Sequence, residues 1–136
     1  MATDPAPGQP APAPAVPPAS GPSGEIQSTP DERQMAMLAH LGGMVPYLGF
    51  AVPLWLWAAK MGQAPFIEDQ AKESLNLQIN VLMMMILASI ACFIPWVGWI
   101  IPFGFASANA FYCYLGGTAA KEGKLWRYPY NVRYIS

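Results

Sequence analysis

Residues 74–120 read SLNLQINVLMMMILASIACFIPWVGWIIPFGFASANAFYCYLGGTAA, and this stretch decides the fold. It contains no Asp, Glu, Lys or Arg. Pro95 divides it near the middle, and each side is about long enough for a helix to cross a hydrocarbon core of roughly 30 Å at about 1.5 Å per residue. The stretch therefore predicts a transmembrane helical hairpin, with spans at about 74–94 and 97–120.

Charge is scarce in this chain and is concentrated outside the apolar stretches. The 136 residues include 7 basic and 8 acidic side chains, the formal net charge is -1, and 54% of the residues are hydrophobic. This distribution is typical of a membrane protein. It gives no basic field for nucleic acid, so membrane lipids are the expected partners and nucleic acid is not.

The sequence predicts neither a metal site nor a cofactor site. It has one His and two Cys, and it lacks metal-binding spacings and a glycine-rich phosphate loop. Cys92 and Cys113 fall at different depths of the predicted hairpin, roughly 16 Å apart at 1.5 Å per residue, which is too far for a disulfide. We expect both to be small apolar side chains in the packing.

Residues 1–30 are predicted to form a disordered, Pro/Ala-rich tail. They hold nine of the fifteen prolines and almost no large apolar side chains, so they cannot bury enough surface to offset the entropy of ordering. They also lack the basic start and apolar run of a secretory signal peptide, and we expect insertion to depend on the spans. The helical membrane domain is predicted to occupy residues 31–136.

The first apolar region, residues 35–59, is long enough to span but is interrupted by Pro46 and Pro53. Each proline removes a backbone donor and breaks or kinks a helix. Two interpretations stay open: a single kinked transmembrane helix, which we favour, or two half-helices in a re-entrant hairpin. The predicted fold class is thus an all-α integral membrane protein with about three transmembrane helices, the first proline-kinked or re-entrant.

A polar stripe extends from residue 69 into the start of the charge-free stretch. Asp69, Glu73, Asn76 and Asn80 are spaced by four, three and four residues, which places them on one face of a helix. On the second arm of the hairpin, a row with steps of four contains Gly104, Ala108, Tyr112 and Gly116, in which the small residues Gly104, Ala108 and Gly116 predict close helix packing in lipid. Residues 121–136 interleave aromatic and basic side chains and are expected to lie at the membrane interface.

The positions of the cations predict the topology. Lys60 and Lys72 lie between the first two apolar regions, four cations follow the last one, and the hairpin turn has none. Cytoplasmic loops carry the excess of Lys and Arg, so the C-terminus is predicted to be cytoplasmic in a multi-pass protein of the inner membrane. The side of the N-terminus depends on whether residues 35–59 span or re-enter.

Several short stretches of the chain form a recognisable set: Met37–Leu38–Ala39–His40–Leu41, Pro53–Leu54–Trp55–Leu56–Trp57, Ala64–Pro65–Phe66, Leu75–Asn76–Leu77–Gln78–Ile79, and Gly123 to Arg133 with Arg127–Tyr128–Pro129 inside it. Together they resemble a known family of small bacterial membrane proteins of unknown function. That group is described as similar to the twenty-kilodalton Tic subunit of chloroplast inner-envelope protein import. The resemblance covers about residues 31–135 and implies a compact helical membrane domain with little chemistry.

The candidate functional residues lie where the chain meets the membrane, and we name them the rim network. Ionisable groups at the edge of a bilayer are costly and raise the expectation of a role. The favoured role is structural, with Glu73 and Asn76 pairing with Arg127, Arg133 or freed backbone carbonyls, so that the C-terminal tail is fixed under the helices. The members of the rim network are His40, Asp69, Glu73, Asn76, Asn80, Arg127 and Arg133.

The predicted function is therefore a small non-enzymatic membrane protein: a scaffold, an assembly factor or a subunit of a transport or translocation complex. A protein partner or a homo-oligomer is expected, because three spans are too few to enclose a pore. The alternative is a lipid-active or proton-relaying membrane enzyme that uses His40 and Glu73. A permeabilising protein has less support, since the polar stripe stops at Asn80.

Overall fold

The computed structural model describes residues 26–90 and 93–135, and within them it contains four α-helices and no strands. The helices are α1 (Pro30–Gly42), α2 (Ala51–Lys60), α3 (Pro65–Ile90) and α4 (Val97–Lys121). The all-helical fold class is confirmed at this level. The predicted disordered tail, up to residue 25, lies outside the described residues, as does Cys92.

The start of α1 follows from local sequence. Thr29 is the N-cap: its Oγ1 accepts from the Glu32 backbone N–H at 3.2 Å, and its own N–H donates to Glu32 Oε2 at 2.7 Å. This reciprocal capping box satisfies two donors that a helix start leaves unpaired. Pro30 occupies the first helical position, where its missing N–H costs nothing. Ahead of the cap, Ile26 packs against a small cluster of buried side chains from three helices: Ala36, Phe66 and Ala120.

Residues 35–59 do not form the single kinked helix that we favoured; that expectation was wrong. The chain leaves α1 after Gly42, makes consecutive turns through residues 43–50, and begins α2 at Ala51. Tyr47 has a φ of 63°, outside the helical region. Pro46 lies in the turns, and Pro53 lies in the first turn of α2, where a helix tolerates proline. The prolines thus separate two short helices, as in the re-entrant alternative.

The two long helices form the predicted hairpin. The connection at residues 93–96 contains Pro95, and Trp96 adopts a φ of 70° immediately before α4. Among the described helices, α3 is the one whose length and hydropathy suffice for a membrane crossing, and 44% of its most apolar 18-residue window is buried in this chain. The prediction of three transmembrane helices is therefore not confirmed, and the predicted span limits of 74–94 and 97–120 stay predictions.

The two short helices pack against only part of the hairpin. Ser74 Oγ donates to the Ala39 carbonyl at 2.9 Å, and Asn109 Nδ2 donates to the Gly43 carbonyl at 2.8 Å. The turn after α1 therefore lies level with the middle of α4. A core cluster joins α1, α2 and α3 through mostly small side chains: Ala39, Leu56, Ala64, Ile67 and Ala71.

Beyond this turn the described chain covers only part of the hairpin: Asn131, Val132 and Tyr134 contact α3 at Asn80 and Met83. From Gln78, α3 continues for twelve residues, about 18 Å at 1.5 Å per residue, and α4 approaches Asn109 over a similar length. Apolar side chains on this part are largely exposed: Phe93 91%, Trp96 83%, Trp99 85%, Ile100 68%, Phe103 75%. Soluble monomers rarely expose a contiguous apolar patch of this kind, so the surface is suited to lipid.

Candidate functional site

The polar face of α3 contacts the segment that follows α4, residues 122–135, which we call the C-terminal segment. This segment has no helix or strand of its own, so its backbone groups need partners. The polar stripe supplies many of them. Burial of the stripe is nearly complete at its centre, where Glu73 is 3% exposed and Asn76 is 1% exposed.

The Glu73 carboxylate accepts four hydrogen bonds from the C-terminal segment. It accepts from the Tyr128 backbone N–H at 2.8 Å, from Arg133 Nε at 2.9 Å and Nη2 at 3.1 Å, and from Asn131 Nδ2 at 3.2 Å. A buried carboxylate is tolerated when it is paired and its remaining lone pairs are satisfied. Glu73 thus fixes three residues of the C-terminal segment at once.

Four side chains form a chain of hydrogen bonds from the surface to the centre of the protein. Arg127 makes a two-pronged contact with Asp69, at 2.6 and 2.8 Å, and Asp69 accepts from Gln70 Nε2 at 2.8 Å. Gln70 Oε1 contacts His40 Nε2 at 3.1 Å. The route therefore connects an exposed guanidinium to a histidine that is 0% exposed.

The partners of His40 determine its tautomer. Gln70 Oε1 is an acceptor only, so His40 Nε2 carries the proton. His40 Nδ1 then accepts from the Tyr128 hydroxyl at 2.8 Å. Burial raises the pKa of the Tyr128 phenol, which keeps the hydroxyl proton available for this bond. Both ring nitrogens of His40 are consequently used in holding the C-terminal segment.

Asn76 and Asn80 hold the far end of the C-terminal segment. Asn76 Oδ1 accepts from the backbone N–H groups of Tyr134 at 3.0 Å and Ile135 at 2.9 Å, and Asn76 Nδ2 donates to the Ile135 carbonyl at 2.8 Å. Asn80 Nδ2 donates to the Val132 carbonyl at 3.0 Å. All seven members of the rim network are therefore brought into one connected region, although their functional role stays a prediction.

Replacement of Asn76 by alanine is expected to free the end of the C-terminal segment. Three hydrogen bonds are lost, at a net cost of about 1–2 kcal/mol, because water replaces part of them. Hydrogen–deuterium exchange should show faster exchange at the Tyr134 and Ile135 amides. Ser89→Ala, on the same helix, is the control, since Ser89 Oγ donates to the Ile86 carbonyl of its own helix at 2.6 Å. Unchanged exchange at Tyr134 and Ile135 would contradict the assigned contacts.

Several residues of the site were not predicted from the sequence, and Asn131, which donates to Glu73, is one of them. Gln70 and Tyr128 connect His40 to the rest of the site, and Asn109 bridges Gln78 and the Gly43 carbonyl. Gln70 precedes the stripe residue Glu73 by three positions, so helical spacing was the available signal. Asn109 is a lone amide in an apolar helix, which is costly in lipid unless it is paired.

The predicted small-residue positions on α4 differ in their surroundings. Gly116 is buried, and a Cβ there would lie 2.7 Å from Tyr128 Oη and 2.9 Å from His40 Nδ1. Gly104 is exposed, with nothing within 4 Å of such a Cβ, and Ala108 is exposed as well. Close packing within the chain thus occurs at Gly116, whereas Gly104 and Ala108 face outward.

Arg127 and Glu68 make ionic contacts and hydrogen bonds at the surface of the site. The hydrogen bond to Asp69 raises the pKa of Arg127. The Gly62 backbone N–H donates to Glu68 Oε2 at 2.8 Å, and Lys72 pairs with Glu68 at 3.0 Å. Within residues 26–90 and 93–135, no group of three or more His, Cys, Asp or Glu is arranged to hold a metal ion.

Comparison with known proteins identifies one match. The sequence model of a family described as "Magnetosome magnetite crystal formation protein family" (MamF/MmsF) matches residues 31–135. No curated protein and no solved structure matches the chain. The resemblance to a family related to the Tic subunit of chloroplast import was therefore wrong, and protein translocation is unsupported as the process. Apolar helices and helix-breaking prolines are shared widely among small membrane proteins, so such short stretches discriminate poorly.

Proposed function

Because the chain belongs to the magnetosome magnetite crystal formation protein family, we propose that it is a non-enzymatic scaffold or assembly factor in magnetite formation. Family membership makes it a small membrane protein involved in this process. We further propose how the protein acts as a scaffold. A membrane-anchored hairpin presents a rigid polar surface, formed by α3 and the C-terminal segment, to a protein partner or to a second copy of the chain.

One observation carries the proposal. The alternative, a lipid-active or proton-relaying enzyme, would use His40 and Glu73 as its reactive groups. Both side chains are buried, and both make hydrogen bonds that hold the C-terminal segment. A general acid or base must reach its substrate within hydrogen-bond distance. A histidine that is 0% exposed and bonded at both nitrogens is better suited to fixing a shape than to relaying a proton.

We also propose a specific membrane arrangement for residues 31–136. The hairpin of α3 and α4 crosses the bilayer, α1 and α2 re-enter it as half-helices from one side, and residues 121–136 lie at that interface. This is supported by the position of the turn after α1, level with Asn109 and partway along the hairpin. All seven cations then lie on one side, which the cation rule assigns to the cytoplasm, with the C-terminus.

Cysteine labelling tests this arrangement. Single cysteines at Gln34, Trp96 and Lys121 are placed in a chain whose Cys92 and Cys113 are replaced by alanine. A membrane-impermeant maleimide applied to sealed vesicles should label Gln34→Cys and Lys121→Cys from the same side, and Trp96→Cys from the other. Labelling of Gln34→Cys together with Trp96→Cys would instead show three complete crossings.

Complementation tests the scaffold role. Magnetosome-forming cells that lack the gene are supplied with the wild-type chain, His40→Ala or Lys124→Ala. Electron microscopy gives the magnetite crystal dimensions, and immunoblotting gives the amount of protein in the membrane. We expect His40→Ala to lower both together, and Lys124→Ala to leave both unchanged, since the Lys124 side chain is 71% exposed.

The relation between the two measurements separates the hypotheses. A scaffold acts through the amount of correctly folded protein, so crystal dimensions should follow protein amount across variants. A normal amount of His40→Ala in the membrane, together with the crystal defect of the deletion strain, would refute the scaffold role. It would point to chemistry at His40.

A further inference from the structure

A groove of about 370 Å³ separates α3 from the C-terminal segment. It follows one face of α3 from Pro65 to Asn76, about 16 Å at 1.5 Å per residue, and Ile135 closes its far end. Six charged side chains line it: Glu68, Asp69, Lys72, Glu73, Arg127 and Arg133. The groove lies on the polar surface that the proposed scaffold function presents to a partner, and that proposal assigns it no ligand.

The lining of the groove has three cationic and three carboxylate side chains, so its formal net charge is zero. Each cation pairs with a carboxylate: Lys72 with Glu68 at 3.0 Å, Arg127 with Asp69 at 2.6 Å, and Arg133 with Glu73 at 2.9 Å. A purely anionic ligand would meet as many carboxylates as cations, and a metal cation would meet as many cations as carboxylates. A ligand that carries one charge of each sign can satisfy both sets.

The charges are also ordered along the helix. Glu68 and Asp69 lie near the start of α3, where Arg127 pairs with Asp69, so this outer level has a net charge of -1. Lys72 and Glu73 lie about one helical turn further along, toward the apolar part, and Arg133 pairs with Glu73, so this inner level has a net charge of +1. In the proposed membrane arrangement, the net negative level is thus outermost, and the net positive level is nearer the acyl chains. In a zwitterionic phospholipid the ammonium is likewise outermost, and the phosphate is nearer the glycerol.

We propose that this groove binds the headgroup of phosphatidylethanolamine. Lys72 and Arg133 bind the phosphate, as charge-assisted donors do, and Glu68 and Asp69 accept hydrogen bonds from the primary ammonium. A trimethylammonium group has no N–H to donate and is recognised by aromatic faces, which the lining lacks. Ile135 gives the far end of the groove an apolar side chain, on the side of the acyl chains.

Native mass spectrometry of the full chain in mild detergent tests the proposal. The protein is stripped of lipid and then offered phosphatidylethanolamine, phosphatidylcholine and phosphatidylglycerol in equal amounts. We expect one phosphatidylethanolamine to be retained in clear excess. Lys72→Ala should weaken this retention about tenfold, the effect of losing one charge-assisted contact. Lys124→Ala is the matched control, because Lys124 also pairs with a glutamate, at 2.6 Å, but lies outside the groove.

Several results would overturn the assignment. Equal retention of the three lipids, or preference for the anionic lipid, would refute recognition of a zwitterion, and retention of none would refute the site. Binding of free phosphoethanolamine without retention of the lipid would assign the groove to a solute. An equal loss in Lys72→Ala and Lys124→Ala would show nonspecific attraction. The inference uses the proposed membrane arrangement, but cysteine labelling tests that arrangement independently, and crystal dimensions do not enter this test.

Discussion

Replacement of Glu73 by alanine is expected to detach the C-terminal segment and to lower the free energy of unfolding by about 3 kcal/mol. The substitution removes the partner of Arg133 and leaves the buried backbone N–H of Tyr128 without its acceptor. Removal of one member of a buried, hydrogen-bonded pair is costly because the other groups stay desolvated. Arg133 is partly exposed, which moderates the loss.

Two measurements check this prediction in detergent-solubilised protein. Denaturant unfolding gives the stability, and the rate of tryptic cleavage after Arg127 reports release of the segment. Glu73→Gln should show a smaller loss, since one side-chain oxygen can still accept from Tyr128. Glu122→Ala is the control: Glu122 pairs with Lys124 on the surface and should tolerate the change. Wild-type cleavage and stability in Glu73→Ala would show that the segment is held by other contacts.

Replacement of Gly116 by alanine is the second large expected effect, at about 2–3 kcal/mol. The added methyl would lie 2.7 Å from Tyr128 Oη, 2.9 Å from His40 Nδ1 and 3.0 Å from Trp126 Cδ1. The hydrogen bond between His40 and Tyr128 lies at this contact, so relief of the clash must separate its two partners. Overpacking of a filled core is destabilising for this reason.

Gly104→Ala makes the same chemical change on the same helix and is the matched control. A Cβ at Gly104 meets nothing within 4 Å, and alanine is the better helix former. Thermal unfolding should therefore show a lower midpoint for Gly116→Ala and an unchanged or slightly higher one for Gly104→Ala. Equal effects of the two substitutions would contradict the assigned position of Gly116 beside His40.

The sequence predicted those parts of the structure that depend on local pattern. The spacing of Asp69, Glu73, Asn76 and Asn80 placed them on one face, and the structure has them on one face of α3. The absence of charge in residues 74–120, with Pro95 at its middle, located the connection between the two long helices, although α3 begins nine residues earlier, at Pro65. Both signals arise from helical periodicity and from the exclusion of charge from lipid, which need no knowledge of the tertiary fold.

Other features depend on contacts between distant parts of the chain. Pro46 and Pro53 are compatible with one kinked helix or with two separate helices. The outcome depends on which donors reach the backbone carbonyls that are left without a helical partner. The Gly43 carbonyl accepts a hydrogen bond from Asn109, which lies 66 residues later in the chain. The connection of His40 to Gln70 and Tyr128 likewise joins residues 30 and 88 positions apart. No spacing rule in a single sequence indicates such pairs. The family resemblance was wrong because it rested on short apolar stretches.

The contacts of the C-terminal segment have a consequence for biosynthesis. Hydrogen bonds join α3 to residues that lie 51 to 60 positions later in the chain. During translation, the polar face of α3 therefore reaches the membrane well before residues 126–135 leave the ribosome. In that interval the Glu73 carboxylate is without Arg133, so the nascent chain carries an unneutralised acid at the bilayer edge. Formation of this contact thus waits for residues 126–135, and a chain shortened before Arg133 should be less stable because Glu73 has lost this partner.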